Sequence, residues 1–232
     1  MPGSTTGLRY WTPAPRSTFQ WQLSGTIDLS PSADVFNVDL CDTPPSTVAA
    51  LHRRGRHVIC YVSVGSYEDW RPDAARFPRS VIGKPYQGWS GEWWLDVRHL
   101  SALAPLMRAR LDLCQAKGFD AVEPDNIDGY QVDGGTGFPL TAGDQLRYNR
   151  WIAAEAHCRG LSIGLKNDSD MRTIGRNRTG ESKAVPSPRS WLRRVAHAQS
   201  VRVDVVVPGT PCAGSSSRAS GSSTVKTLPF PG

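Results

Sequence analysis

Acidic side chains stand where short hydrophobic runs end in this 232-residue chain. Asp39 and Asp42 close the run at 35–40, and Glu68 lies just beyond the run at 58–64. Glu123, Asp125 and Asp128 follow Val122, and Asp168 follows the run at 161–166. A pair of carboxyl groups, one nucleophile or base and one acid, is what hydrolysis of a glycosidic bond requires. Lys166 falls in the same set, and a cation beside a carboxylate favours the ionised form a nucleophile needs. A crowd of acids also attracts a cationic substrate. Asp42, Asp69, Asp73, Asp133 and Asp144 read as solvated loop acids or helix caps. Asp39, Glu123 and Asp125 read differently. Strand parity turns them inward, where acids are rare unless paired or functional.

Five segments must carry these residues. Residues 19–23, 35–40, 58–64, 121–123 and 161–166 are β-branched or alternating runs bounded by Gly or Pro, the pattern of strands. Helical patterns lie between them. Ser46 is placed to cap a short helix that stops at Gly55. Leu103, Leu106, Met107, Leu111 and Cys114 mark one face of a helix ending at Gly118. Thr141 with Asp144 resembles a capping box, opening a helix that ends at Gly160.

Alternation assigns one strand face to the helices: Phe19, Trp21 and Leu23, then Phe36 and Val38, Val58 and Cys60, Val122, and Ile163. The opposite face carries Gln20 and Gln22, Asn37 and Asp39, Tyr61 and Ser63, Glu123 and Asp125, and Lys166. An open sheet covered on both sides would want two apolar faces. One apolar and one polar face suit a closed (β/α)₈ TIM-type barrel, with helices outside and a site at the C-terminal ends of the strands. About five of its eight strands are recognisable. Trp89, Trp93 and Trp94 fall in the long loop after the third strand, as stacking surfaces for sugar rings or as packing anchors.

Composition sets further bounds. Residues 1–168 hold 17 Lys and Arg against 18 Asp and Glu, whereas 169–232 hold 10 against 3. The basicity therefore belongs to the last 64 residues, which contain 11 Ser, 6 Pro, 6 Gly and two aromatics. Such a segment buries too little apolar surface to offset its ordering entropy. We divide the chain into a structured part, 1–168, and an irregular tail, 169–232, with one strand-like run at 201–207. A folded part of near-zero net charge argues against nucleic acid as partner, and no apolar run is long enough to span a membrane. No signal peptide is visible, and no glycine-rich phosphate loop or zinc-type spacing points to a cofactor or metal. Of the five cysteines, Cys41, Cys60, Cys114, Cys158 and Cys212, Cys60 and Cys114 lie on apolar faces and read as buried thiols; disulfides in an exported protein are the alternative, with at least one cysteine left unpaired by the odd count.

These residues also carry a family resemblance. Asp39-Leu40-Cys41-Asp42-Thr43, the run from Cys60 to Glu68, Trp70-Arg71-Pro72-Asp73, Gly91-Glu92-Trp93-Trp94-Leu95-Asp96, Gly118 to Asn126 and Gly164-Leu165-Lys166-Asn167-Asp168 resemble glycoside hydrolase family 114. The resemblance covers roughly 18–168. It implies a TIM-type barrel, retaining hydrolysis of α-1,4-linked galactosamine polymers, and no cofactor. In the family the aspartate of the Glu-Pro-Asp-Asn motif is the nucleophile, which falls on Asp125. Asp39, Tyr61, Glu68, Glu123, Asn126, Asp128 and Lys166 are then expected to line the sugar site. Members act outside the cell, so export is expected from the resemblance.

The chain departs from the family after Asp168. The resemblance implies a sixth strand bearing the acid/base glutamate, and no such motif follows; Glu181 is the tail's one glutamate and lies in an Arg/Thr/Gly stretch. A reading-frame or gene-model break near residue 169 accounts for both this and the shift in composition. A barrel short of three strands would expose two edges, with low solubility and little hydrolysis. The alternatives are a variant tail that closes the barrel differently and a non-catalytic sugar-binding protein. Resequencing the coding DNA past the Asp168 codon tests the break: a shifted frame is expected, and an intact one rejects it.

Overall fold

The computed structural model describes residues 10–166, apart from Pro15 and Asp133. Asp168, Glu181, Cys212, the 169–232 tail and its strand-like run lie outside the described residues.

Five parallel strands form the main sheet. They are β1 (Phe19–Gln22), β2 (Val35–Asp39), β3 (His57–Ser63), β7 (Ala121–Asp125) and β8 (Ser162–Ile163), in that spatial order. Helix α1 (Pro45–Arg53) joins β2 to β3, and α3 (Ala142–Cys158) joins β7 to β8. Between β3 and β7 lie a small antiparallel sheet of β4 (Ser66–Glu68), β5 (Ile82–Pro85) and β6 (Glu92–Leu95), then α2 (Leu100–Lys117). The segment read as a long loop is therefore a folded insertion whose strands, three or four residues each, are too short to show a period. Among the described residues no helix is long and apolar enough to cross a membrane.

Curvature identifies the sheet as part of a barrel. Trp21 lies on β1 and Lys166 just past β8, at opposite edges of the sheet, yet Lys166 Nζ sits 5.4 Å from the Trp21 ring centre. In a flat sheet the two strands would be about 19 Å apart, four strand spacings. The described residues thus form five strands of an α/β, TIM-type barrel, incomplete among the residues described.

The two faces sort mostly as alternation requires. Phe36, Val38, Val58, Cys60, Val62, Val122 and Ile163 join the helix-facing core with Leu51, Leu103, Met107, Leu111 and Ile152. Val35, Ile59 and Ala121 form a separate apolar floor on the inner side. Strand β1 is the exception. Its register pairs Phe19 with Val35 and Trp21 with Asn37, so its aromatics face inward, not toward the helices. Gln20 and Gln22 face outward, where the Gln22 amide ties the 24–28 turn through Ser24 O, Thr26 O and Asp28 N.

Helix ends follow local chemistry. The capping box is present, with Thr141 accepting from the Asp144 amide and Asp144 accepting from Thr141. Gly118 closes α2 at φ 86°, a conformation that favours glycine. Ser46 does not cap α1; Pro44 occupies that position without a side-chain cap, and the helix begins at Pro45.

The cysteine expectation is also corrected. Cys60 of β3 and Cys114 of α2 form a disulfide, and Cys158 is disulfide-bonded as well. Cys41 is free. Burial favours a thiol or a disulfide equally, so the apolar surroundings could not decide between them. A bridge between residues 54 apart constrains the unfolded chain by about 4 kcal/mol on an entropic model.

Gly65 lies where β3 leaves the barrel rim. A Cβ there would overlap the Asn126 carbonyl oxygen and stand 2.8 Å from its carbonyl carbon. The obstacle is backbone and cannot rotate away. Gly65→Ala is expected to cost about 3 kcal/mol, measured by chemical unfolding; a cost near zero would contradict this close approach.

Candidate active site

The strand ends are fixed from behind. Arg110 of α2 donates to Ser63 O at 2.7 Å and pairs with Asp73, and Tyr148 of α3 donates to Val64 O at 2.7 Å. Register then aligns Asp39, Tyr61 and Glu123 across β2, β3 and β7, with Ser63 and Asp125 one step above.

Asp125 is the centre of the arrangement. Tyr61 donates to its Oδ2 at 2.5 Å. Lys166 Nζ lies 2.9 Å from its Oδ1, which also accepts from the Asn126 amide at 2.9 Å. Lys166 sits 4.9 Å over the Tyr61 ring and faces Trp21 from the other side. Burial, then the Asp125 charge, pushes the Tyr61 hydroxyl far up, so it stays a donor. Asn126 itself holds a left-handed backbone, φ 61°, a conformation Asn tolerates better than most residues.

Exposure separates the carboxylates. The Asp125 side chain is 15% exposed, whereas Glu123 beneath it is fully buried. Lys166 is 3.5 Å from Glu123 Oε1, and neither Glu123 oxygen has a hydrogen-bond donor among the described residues. Burial raises the Glu123 pKa to about 7; Lys166 opposes the rise and Asp125 adds to it. Asp128 is also raised, chiefly by burial.

Asp39 and Glu68 are brought to the same rim but held by Arg71. Its guanidinium donates to both Asp39 oxygens at 2.7 and 2.8 Å and to both Glu68 oxygens at 2.9 and 3.0 Å. Asp39 also accepts from the Cys41 and Asp42 amides. Both carboxylates are buried and turned to this cation, so they reach the site as its partners, not as open ligands for a sugar amine.

Sequence reasoning missed Arg71, Glu92 and Tyr86, all contributed in or beside the insertion. Glu92 of β6 is buried opposite Glu68 and is hydrogen-bonded to Ser66 Oγ at 2.5 Å. Burial raises its pKa to about 7, with Ser66 opposing and Glu68 and Asp125 adding. Tyr86 stacks on Trp94 at 4.5 Å. Trp94 is thus a buried packing anchor, while Trp89 is 64% exposed. Gly91-Glu92-Trp93-Trp94 was a signal that could have found Glu92, since Glu92 and Trp94 share one side of a short strand. Among the described residues no group of three or more His, Cys, Asp or Glu side chains is arranged to hold a metal ion.

Among the described residues the site therefore sets six carboxyl groups (Asp39, Glu68, Glu92, Glu123, Asp125 and Asp128) against two cations, Arg71 and Lys166. Comparison with known proteins places this geometry. The model of glycoside-hydrolase family GH114 matches residues 4–183.

This chain belongs to glycoside-hydrolase family GH114.

The match runs past residue 168 and leaves 184–232 outside it. The crystal structure of Aspergillus fumigatus Ega3 in complex with galactosamine is similar at 41% identity and a TM-score of 0.68, over 70% of this chain. The chain spans 64% of the length of that Ega3 chain. The glycoside hydrolase domain of PelA from Pseudomonas aeruginosa shares the fold at 18% identity and a TM-score of 0.50, over 65% of this chain and 59% of that one. No curated protein sequence matches the chain.

The raised Glu123 pKa fixes a pH dependence of this GH114 domain. The folded state holds that proton to about pH 7, whereas an unfolded glutamate releases it near 4.5. Between those values the native state binds more protons, so this group's contribution to stability falls as pH rises. Glu123→Gln is expected to remove that fall, gaining up to about 3 kcal/mol on the wild type between pH 4.5 and 7. Urea midpoints across that range read it, and an unchanged slope would contradict it.

Proposed function

We propose that this chain hydrolyses α-1,4-linked galactosamine polymers with retention, using Asp125 as nucleophile. The observation that carries the reading is the exposure of Asp125. It is the inward acid at the end of β7 that remains open to solvent while Tyr61 of β3, Lys166 beyond β8 and its own chain neighbour fix both oxygens. A carboxylate held this way is positioned for attack on an anomeric carbon: the C–O(ester) bond forms as the glycosidic C–O bond breaks, the leaving oxygen takes up a proton, and water then cleaves the glycosyl ester.

Several features support the substrate class. Even with Glu92 and Glu123 protonated, Asp39, Glu68, Asp125 and Asp128 outnumber Arg71 and Lys166, which favours a sugar polymer bearing free ammonium groups. Trp21 and Tyr61 offer ring faces beside Lys166. Ega3, at 41% identity, was crystallised with galactosamine. On this reading Asn126 and Asp128 border the sugar site with Tyr61 and Lys166, and Asp39, Glu68 and Glu123 set its charge from beneath. Glu123 does not serve as proton donor to the leaving oxygen, because it is sealed below Lys166. A polymeric substrate and the Cys60–Cys114 bridge fit an exported protein.

Reducing-end release from galactosamine oligomers tests the reading. Asp125→Asn is expected to lower kcat by more than ~10³-fold, about 4 kcal/mol of transition-state stabilisation, while binding persists. Binding by the acidic site is expected to weaken as salt rises. Binding without turnover in the wild type would instead mark a non-catalytic sugar-binding relative.

A further inference from the structure

Three oxygen contacts connect Glu92 to the residue after Asp125. Glu92 Oε1 lies 2.5 Å from Ser66 Oγ, Ser66 Oγ lies 2.5 Å from Ser63 Oγ, and Ser63 Oγ donates to Asn126 Oδ1 at 2.7 Å. Each contact needs one proton between its oxygens. The two serine hydroxyls supply two. The Ser63 proton goes to Asn126, whose amide oxygen is an acceptor alone. The Ser66 proton must then fill the contact with Ser63, because that oxygen has no other hydroxyl proton to share. Nothing on either serine remains for the contact with Glu92.

We infer that Glu92 is a neutral carboxylic acid that donates to Ser66, and that the directed chain Glu92–Ser66–Ser63–Asn126 makes it a positioning residue for Asp125. The inference rests on the hydrolase reading for its consequence, not for its proton count. Asn126 holds a left-handed backbone at the point where its amide meets Asp125 Oδ1. Its side-chain oxygen accepts from Ser63, and Ser66 holds that serine in turn. Ionised Glu92 would accept from Ser66 instead, and the one Ser63 proton would then either stay on Asn126, leaving the two serine oxygens facing each other without a proton, or turn to Ser66 and release Asn126.

The surroundings agree. Glu92 is buried and faces Glu68 from β4 and Asp125 from β7; among the described residues Arg71 and the hydroxyls of Tyr61 and Tyr86 also lie around it. Burial first, then two like charges, favour the neutral form up to about pH 7. Glu92 thus differs from Asp125, whose oxygens meet Tyr61, Lys166 and the Asn126 amide.

Glu92→Gln and Glu92→Ala in the full chain, with Ser66→Ala, test this. Glutamine presents an N–H where the acid presents O–H, so Glu92→Gln is expected to recover turnover that Glu92→Ala loses. Its rate should also lack the decline that the wild type shows above about pH 7. Ser66→Ala is expected to lower kcat by about 10–100-fold with KM little changed, the cost of a small misplacement of the reacting group. A Glu92→Gln variant as impaired as Glu92→Ala overturns the inference, as does one that keeps the alkaline decline in a Glu123→Gln background, where the other group that titrates near 7 is gone. So does a Ser66→Ala variant with lower Tm and intact kcat. The infrared difference spectrum of wild type minus Glu92→Gln at pH 6 gives a readout free of activity. A neutral-carboxyl C=O band there supports the proton count and its absence refutes it. Should the wild type turn over no polymer, the hydrolase reading fails while this band still decides the state of Glu92.

Discussion

Charge compensation inside the barrel governs this structure. Arg71 spans Asp39 and Glu68, and Lys166 spans Glu123 and Asp125. An unpaired buried ion costs several kcal/mol, so each cation is a condition for its acids being inside at all. The two come from distant parts of the chain, Arg71 from the start of the insertion and Lys166 from beyond β8. Docking the insertion on the barrel and closing β8 against β7 are thereby tied to the state of the site. The lower acids are answered from within, and Asp125 is left facing out.

Alternation made much of this legible. The inward parity of Asp39, Tyr61, Glu123, Asp125 and Lys166 follows from a period of two along β-branched runs, and the parallel register confirms their common face. Helices α2 and α3 were equally plain, the first from its apolar stripe and Gly118, the second from Thr141 and Asp144. Strand β1 was misread because Phe19 and Trp21 are apolar, and apolar residues were assigned to the core. As an edge strand next to the site, it places those rings inward and sends its glutamines to a turn. Hydrophobicity alone does not separate a ring that packs from one that faces a ligand.

What stayed hidden depends on pairings between distant segments. Arg71, Glu92 and Tyr86 lie in or beside strands too short to establish a face, and only the antiparallel register of β4 with β6 sets Glu92 opposite Glu68. The cysteines illustrate the same limit. Cys60 and Cys114 each sat on a recognisable apolar face, yet their union depends on how α2 docks behind β3. An odd count of five could not name partners.

That bridge encloses the whole insertion, since residues 66–95 lie between its ends. The loop joining β5 to β6 carries the exposed Trp89 beside Gly88, an open tip of the kind proteases cut. A chain nicked there keeps its halves covalently attached through sulfur. It would migrate as one species without reductant and as two fragments with it. Damage to this exposed tip would then leave β3 and the fragment carrying β7 tethered through α2.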